Sequence, residues 1–347
     1  MDAVTIKDIA RALNLSTSTV SRALRGSYEI SAETKRLVIN YAERVHYMPN
    51  PIALSLKANR SKVLGVIVPQ IANHFFSQAI NGIEAVAYSR GYHVVIMQSH
   101  ENYEREIITV EQAVNRKVDG LLISLSSQTI DVTHLQKLHE KKFPIVLFDR
   151  VSQALDVPKI IADNYGGAFA ATEHLIQTGR RRIAHIGIPA YMSITQERLA
   201  GYRAALDKYG LPYDETLIRH VGLGQYEIDP IVIELLTQSP PPDAFFTASD
   251  RLALGCMAAL RRLGVAIPEQ AALIGFTNVT VADLLAPSLS TIEQPAVEIG
   301  QMAAERLIDL IERPQQKLCT GTEKLPTRLV VRESSTGVLQ SFPTTIA

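Results

Sequence analysis

From residue 63 onward, short apolar runs alternate with stretches of helical periodicity, and this alternation limits what the chain can fold into more than any other feature. The apolar runs are Val63 to Val68, Tyr92 to Gln98, Gly120 to Ser124, Pro144 to Phe148, Ile183 to Ile186, Ala244 to Thr247 and Leu273 to Phe276. Between them lie Phe75 to Arg90, Glu104 to Arg116, Gly166 to Thr178, Arg198 to Lys208, Asp250 to Leu263 and Pro295 to Glu312, each with helical spacing of apolar residues. A strand covered on both faces reads as an unbroken apolar run, and a helix between two such strands lets them lie parallel. The pattern predicts doubly wound parallel sheets with helices on both faces. About 280 residues is generous for one such sheet, so two sheets with a cleft between them are expected.

Ligands of open α/β sheets sit beyond the carboxyl ends of the strands. The residues that directly follow predicted strands are therefore candidates: Asn73, Phe75 and Phe76 after the first, Asp149-Arg150 after the fourth, then Ser249-Asp250 and Thr277-Asn278. Carboxylates and an arginine can engage pairs of sugar hydroxyls, and a phenylalanine can stack on the apolar face of a pyranose.

The first 60 residues follow a different pattern. Thr5 with Asp8 forms a capping-box-like start, and Ile6, Ile9, Ala10 and Leu13 follow at the spacing of one buried helical stripe. Ser16 can cap a second helix whose inner face is Val20, Ala23 and Leu24 and whose outer face is Thr17, Ser18, Ser21, Arg22 and Arg25; Gly26 stops it. A third helix runs from Ser31 through Leu37, Val38, Tyr41, Ala42 and Val45. Two short helices joined by a tight turn, the second bearing hydroxyls and guanidinium groups outside, suit a helix-turn-helix that lays its second helix in the major groove. Arg22 can take guanine O6 and N7 with two hydrogen bonds, while Thr17, Ser18 and Ser21 can touch phosphates or base edges. A small bundle with a polar face satisfies the same periodicity. After Met48-Pro49, Asn50 and Pro51 restart a helix over Ile52 to Ala58, too short to be stable unpacked. Leu54 and Leu56 beside Lys57 and Arg60 suit a minor-groove wedge, and a plain linker remains the alternative.

Charge separates the two parts. The chain has 35 basic and 35 acidic residues, a neutrality that by itself discourages a nucleic-acid partner. Residues 1–62 hold ten basic and five acidic side chains, so this segment carries +5 and the remainder −5. With 46% hydrophobic and 20% charged residues the chain is ordinary for a globular protein, its apolar runs are too short to span a bilayer, and its start does not read as a signal peptide. A cytoplasmic location without membrane association is expected. Cys256 and Cys319 are too few for a disulfide framework, and no cofactor or metal motif is visible. His134 and His139-Glu140 read as surface polarity, and Arg180-Arg181-Arg182 as a solvated turn.

The runs Thr5 to Ala10, Ser16 to Leu24 and Asn50 to Lys57 resemble the DNA-binding head and hinge helix of the lactose/galactose repressor (LacI/GalR) family, and the resemblance continues through the chain. It implies an all-α helix-turn-helix head on an α/β periplasmic-binding-protein-like body of two doubly wound subdomains. Expected boundaries are a head at 1–48, a hinge at 49–62 and a body at 63–347. Within the body, one subdomain covers about 63–162 and 292–325, the other about 163–291 and 326–347, with crossings near Asp163-Asn164, Thr291-Ile292 and Leu325-Pro326. The resemblance makes Thr17, Ser18 and Arg22 base readers and Leu56 the wedge; Thr5, Ser21, Tyr28, Asn50, Ala53 and Lys57 complete the expected DNA-binding set. Arg198, in Arg198-Leu199-Ala200-Gly201-Tyr202, matches an effector-gripping arginine at a helix start, and Asp149, Asp163, Phe246, Asp250 and Gln294 fall on other effector-proximal positions. On local grounds Asp163 and Asp250 could equally be helix caps, and Phe246 core.

One departure stands out. Members usually place an acid after the strand Ile274-Gly275-Phe276, where this chain has Thr277; Met192 and Ile194, in a predicted loop, also match purine-responsive relatives poorly. The resulting expectation is a non-enzymatic, ligand-responsive regulator, a repressor of carbohydrate-utilisation genes. It would bind a double-stranded, pseudo-palindromic operator as a homodimer under control of a small sugar-like effector. Effector binding would close the subdomains and alter pairing of the hinge helices. A cytosolic sugar-binding protein without operator function is the rival reading.

Overall fold

The computed structural model describes residues 4–45, 47, 60–222, 228–315 and 320–337. The chain forms two compact units, residues 1–61 and 62–347. Asn50, Ala53, Leu56 and Lys57, and with them the expected hinge helix, lie outside the described residues, as does Cys319.

The first unit holds helices α1 (Ile6–Ala12), α2 (Thr17–Leu24) and α3 (Ala32–Arg44). Each begins with a side-chain cap. Thr5 and Asp8 make a reciprocal capping box, and Ser16 and Ser31 accept from the backbone N–H groups of Thr19 and Thr34. Such caps satisfy donors that the first helical turn leaves orphaned. Gly26, with φ +71°, ends the second helix in the left-handed region. Ile9, Ala10, Val20, Ala23, Val38 and Ala42 meet in a small core.

The second unit contains two six-stranded sheets. One orders β11 (Thr322–Leu325), β5 (Lys159–Ala162), β4 (Ile145–Phe148), β3 (Gly120–Ile123), β1 (Val63–Val68) and β2 (His93–Gln98). The other orders β12 (Arg328–Val330), β10 (Ser290–Glu293), β9 (Ala272–Thr277), β8 (Ala244–Thr247), β6 (Ile183–Gly187) and β7 (Ile218–His220). Every pairing is parallel except β10 with β12. Both sheets reverse strand order beside their first strand, which places a switch point beyond β1 and β3 and another beyond β6 and β8. The apolar runs predict seven of these strands. The five others are short, and β10 and β11, Ser-Thr-Ile-Glu and Thr-Glu-Lys-Leu, carry too few apolar residues to stand out.

Helix α4 (His74–Ser89) packs against α11 (Ala296–Glu312) on the first sheet. A methyl group on Gly82 would lie 2.1 Å from the Val297 carbonyl oxygen, and one on Gly300 2.0 Å from that of Ala79. Glycine is thus required where the two backbones touch.

The chain passes between sheets three times. The first passage is at Asp163, between β5 and α7 (Asn164–Gln177), and the third at Pro326-Thr327. The second is at Gln294-Pro295, later than expected, because Thr291 and Ile292 are still inside β10, opposite Gly275 and Phe276. Two other expectations fail for a common reason, the burial of charge with a partner. Arg180 is fully buried and donates to the carbonyls of Pro268, Asp243 and Gly337, so the arginine triplet is no solvated turn. On α6 (Thr133–Glu140), the His134 side chain is nearly buried with Nε2 3.0 Å from Glu106 Oε1, whereas His139 and Glu140 are exposed.

Candidate functional site

On the first unit, α2 turns Val20 and Ala23 into the core and leaves Thr17, Ser18 and Arg22 exposed, with Ser21 half-buried. Residues three and four apart share a helix face, as do Thr17 with Ser21, Ser18 with Ser21 and Ser18 with Arg22, so these four form one broad polar surface. Ser18 Oγ lies 2.7 Å from Ser16 Oγ, and Arg22 Nη1 lies 3.0 Å from Glu29 Oε2. Tyr28 is 93% exposed, an unusual state for an aromatic side chain with nothing to pack on. Thr5 is exposed, but its hydroxyl donates to Asp8 Oδ2 at 2.6 Å, committing it to the cap.

On the second unit, a cavity of about 650 Å³ lies between the two sheets at their carboxyl ends, a size suited to a small organic molecule. Its first wall comes from the β1 sheet. Asn73 caps α4 through Phe75 N, and Phe75 and Phe76 stand edge to face at 5.5 Å. Asp149 follows β4 with a left-handed backbone, φ +59°. Burial pushes its carboxyl above the usual carboxylate range, against the pull of Arg150 and Arg198, and no described side chain or backbone N–H donates a hydrogen bond to it. Arg150 Nε lies 3.9 Å from Asp149 Oδ2, is buried, and has no hydrogen-bond acceptor.

The second wall comes from the β6 sheet. Arg198 donates through Nε and Nη2 to Asn164 Oδ1 at 3.0 and 2.8 Å and through Nη1 to the Ala248 carbonyl, and its Cζ lies 3.8 Å over the Phe276 ring. Burial lowers its pKa to about 10. Helix α8 spans Ser193–Lys208, so Arg198 stands in its second turn, not at the helix start, and Ile194 is helical rather than part of a loop, with Met192 as N-cap. Thr277 lines the cavity with φ +136°, followed by Asn278 at φ +66°. Such a backbone costs a β-branched residue energy and persists only where its surroundings impose it. Here Asn278 is tied to Thr291, Glu293 and Arg332. Gln294, at the second passage, lines the cavity and has a buried Nε2 without an acceptor.

The structure thus brings Asn73, Phe75, Phe76, Asp149, Arg198, Asp250, Thr277 and Gln294 to one cavity. Asp250 is held by the protein itself. Ser249, one residue earlier, caps α10 (Asp250–Arg262), while the Asp250 carboxylate accepts from Thr291 Oγ1 at 2.5 Å and Val279 N at 2.8 Å. Two expected effector positions fall elsewhere. Asp163 accepts from Gly166 N as the cap of α7, and Phe246 lies wholly in the core, its ring 4.9 Å from that of His185. Side chains within a strand point to the sheet faces, so Phe246 reaches a helix layer and not the strand end. Sequence reasoning did not single out Gln98, His100, Glu101 or Ile188, which also line the cavity. Glu101 follows β2 as Asp149 follows β4, so the same rule could have found it. Among the described residues, three side-chain bonds join the walls away from the passages: Tyr191 Oη to the Ser127 carbonyl, Ser193 Oγ to the Val151 carbonyl at 3.4 Å, and Lys324 Nζ to Glu197 Oε1 at 3.0 Å.

Comparison with known proteins divides the chain in the same order. Residues 5–50 match the description of bacterial regulatory proteins, lacI family, and residues 61–330 that of periplasmic binding proteins and the sugar binding domain of the LacI family. The transcriptional repressor CytR of Escherichia coli strain K12 is 33% identical over 334 residues, 96% of this chain and 96% of CytR. Among solved structures, the lac repressor dimer bound to operator and the anti-inducer ONPF superposes with a TM-score of 0.85 at 25% identity, covering 97% of this chain and all of its own. The complex of the transcriptional regulator CelR with cellobiose gives 0.73 at 30% identity, covering 95% and 99%.

Proposed function

The chain belongs to the LacI family of bacterial regulatory proteins, and from that premise we propose that it is a ligand-responsive repressor whose homodimer grips a pseudo-palindromic operator and whose body senses a sugar or sugar derivative. The polar face of α2 supports the DNA part. Thr17, Ser18 and Arg22 would reach base edges, Ser21 and Tyr28 the backbone, with Thr5 capping the helix that crosses it. Asn50, Ala53, Leu56 and Lys57 would act at the hinge. The lac repressor, solved as a dimer on its operator, supports two-fold binding, and a repressor working on the chromosome belongs in the cytoplasm. No described helix is long and apolar enough to cross a membrane, and the curated relatives are repressors, not enzymes.

One observation carries the effector reading. The cavity is lined by Asp149, whose carboxylate faces Arg150 Nε at 3.9 Å without a hydrogen bond, and by two residues with buried donors lacking acceptors, Arg150 Nε and Gln294 Nε2. Buried polar groups are costly when unsatisfied, and a hydroxyl both donates and accepts. A polyol satisfies all three while its apolar face meets Phe75 or Phe76. Arg198 and Thr277 would complete the grip, with Asn73 and Asp250 shaping it; cellobiose bound to CelR is a precedent for a sugar ligand. Effector binding and operator binding are linked reciprocally through closure of the two walls.

Selection from random duplex DNA tests the regulator reading. A palindromic consensus is expected, and failure to enrich any sequence would sink it. Thermal-shift screening of sugars tests the effector class, since a ligand at 100 times its Kd adds ~2.7 kcal/mol of stability.

A further inference from the structure

We propose that Glu101 restricts the cleft to uncharged effectors, excluding the phosphate esters and acids of sugars whose neutral forms bind; the inference rests on the polyol reading above. His100 and Glu101 both adopt left-handed backbone, with φ +52° and +60°. Two consecutive non-glycine residues hold that conformation only when bonds elsewhere impose it. Those bonds come from the Glu101 carboxylate. Oε2 accepts from Ser127 N at 2.8 Å, and both oxygens accept from Arg150 Nη1, at 2.9 and 2.7 Å. The two side chains are nearly buried, 13% and 9% exposed, so solvent screens the pair little.

The consequence is electrostatic. A buried guanidinium at the end of a strand is the natural anchor for an entering anion. Arg150 cannot serve as one, because Glu101 flanks it on one side and Asp149 Oδ2 lies 3.9 Å from its Nε on the other. Arg198, the other buried guanidinium of the cavity, keeps N–H groups for a hydroxyl beside its bonds to Asn164 and the Ala248 carbonyl, but its charge is already offset by Asp149, Glu197 and Asp250. Asp250 adds a third buried carboxylate. A phosphate entering here would meet Asp149 and Glu101 at close range, and like charges brought together out of water repel strongly. A hydroxyl brings no charge, and it can donate to Asp149 while accepting from Arg150 Nε. Glu101 is thus a specificity-determining residue that acts through Arg150.

Calorimetric titration of the full-length protein with paired ligands tests this: D-ribose with ribose 5-phosphate, and D-glucose with glucose 6-phosphate and gluconate. In every pair that binds, the neutral member is expected to bind at least about ten-fold more tightly. Glu101→Gln keeps an acceptor for Ser127 but drops the charge, and should reduce the ratio to about three-fold or less, while Glu101→Asp keeps the charge and should preserve it. A charged member that binds the wild-type protein as tightly as its neutral parent, for instance by reaching Arg251 at the mouth, overturns the role of Glu101 and leaves the sugar reading intact. So does a ratio that Glu101→Gln does not move. If no member of any pair binds, the sugar reading falls and the inference with it.

Discussion

The head and the body handle charge in opposite ways. On the head, Arg22 and Glu29 are about half exposed and form a pair that water screens. In the body, Arg150, Arg180, Arg198, Glu106 and Asp250 are buried, each against named acceptors or donors. An exposed charge can wait for its partner in water. A buried one is mostly paired inside the fold, and of the buried atoms left unpaired Arg150 Nε and Gln294 Nε2 belong to residues that line the cleft. The neutral total thus conceals a basic head of +5, suited to phosphates, and an acidic body of −5 whose few buried charges nearly balance one another.

The contrast can be tested most severely at Arg198. Arg198→Ala removes a buried guanidinium and should cost effector binding ~2–5 kcal/mol, measured as loss of any effector-induced change in operator retention. A change below about 1 kcal/mol would place Arg198 among structural residues only. On the head, Arg22→Ala should cost ~1–3 kcal/mol on the selected operator and relax one base position. An equal loss on every sequence, by competition binding, would make Arg22 a phosphate contact.

His185 offers a pH test confined to the body. Burial between Tyr202 and Phe246 lowers its pKa to about 3, so it stays neutral in the fold while the unfolded imidazole, near 6.5, binds a proton. The folded state binds fewer protons between those values. Its contribution to stability is therefore fully present above pH 6.5 and lost as pH falls through the window below it. Between pH 7 and pH 5 the loss should be about 2 kcal/mol. Calorimetric scans should show it in the wild type and a flatter dependence in His185→Gln; parallel curves would reject the assignment. The smallest effect belongs to the surface pair. Glu29→Gln should tighten operator binding by less than about 1 kcal/mol, because Arg22 no longer exchanges a partner, and weaker binding would mean that Glu29 positions the arginine.

Much of the head was legible because its determinants are local. Thr5, Ser16 and Ser31 cap helices through bonds to residues three positions away, and the buried stripe of α1 repeats every three or four. In the body, the rule that ligands meet strand ends located Asn73, Phe75, Asp149 and Thr277. It did not separate Phe246, still within β8, from residues beyond a strand, nor a capping carboxylate such as Asp163 from a ligand-facing one. The short polar strands β10 and β11 escaped notice for want of apolar residues, and that misplaced the second passage between the sheets.

By itself, the sequence determined the two-part organisation, the caps and the parallel sheets, because each depends on periodicity or on bonds spanning a turn. Only the tertiary structure decided how charge is distributed in the cleft. Glu101 meets Arg150 across 49 residues, Arg198 meets Asn164 across 34, and Asp250 meets Thr291 across 41. Pairs at such separations are set by strand order and by the passages between sheets, and it is these pairs that shape the cleft lined by Asp149, Arg150 and Gln294.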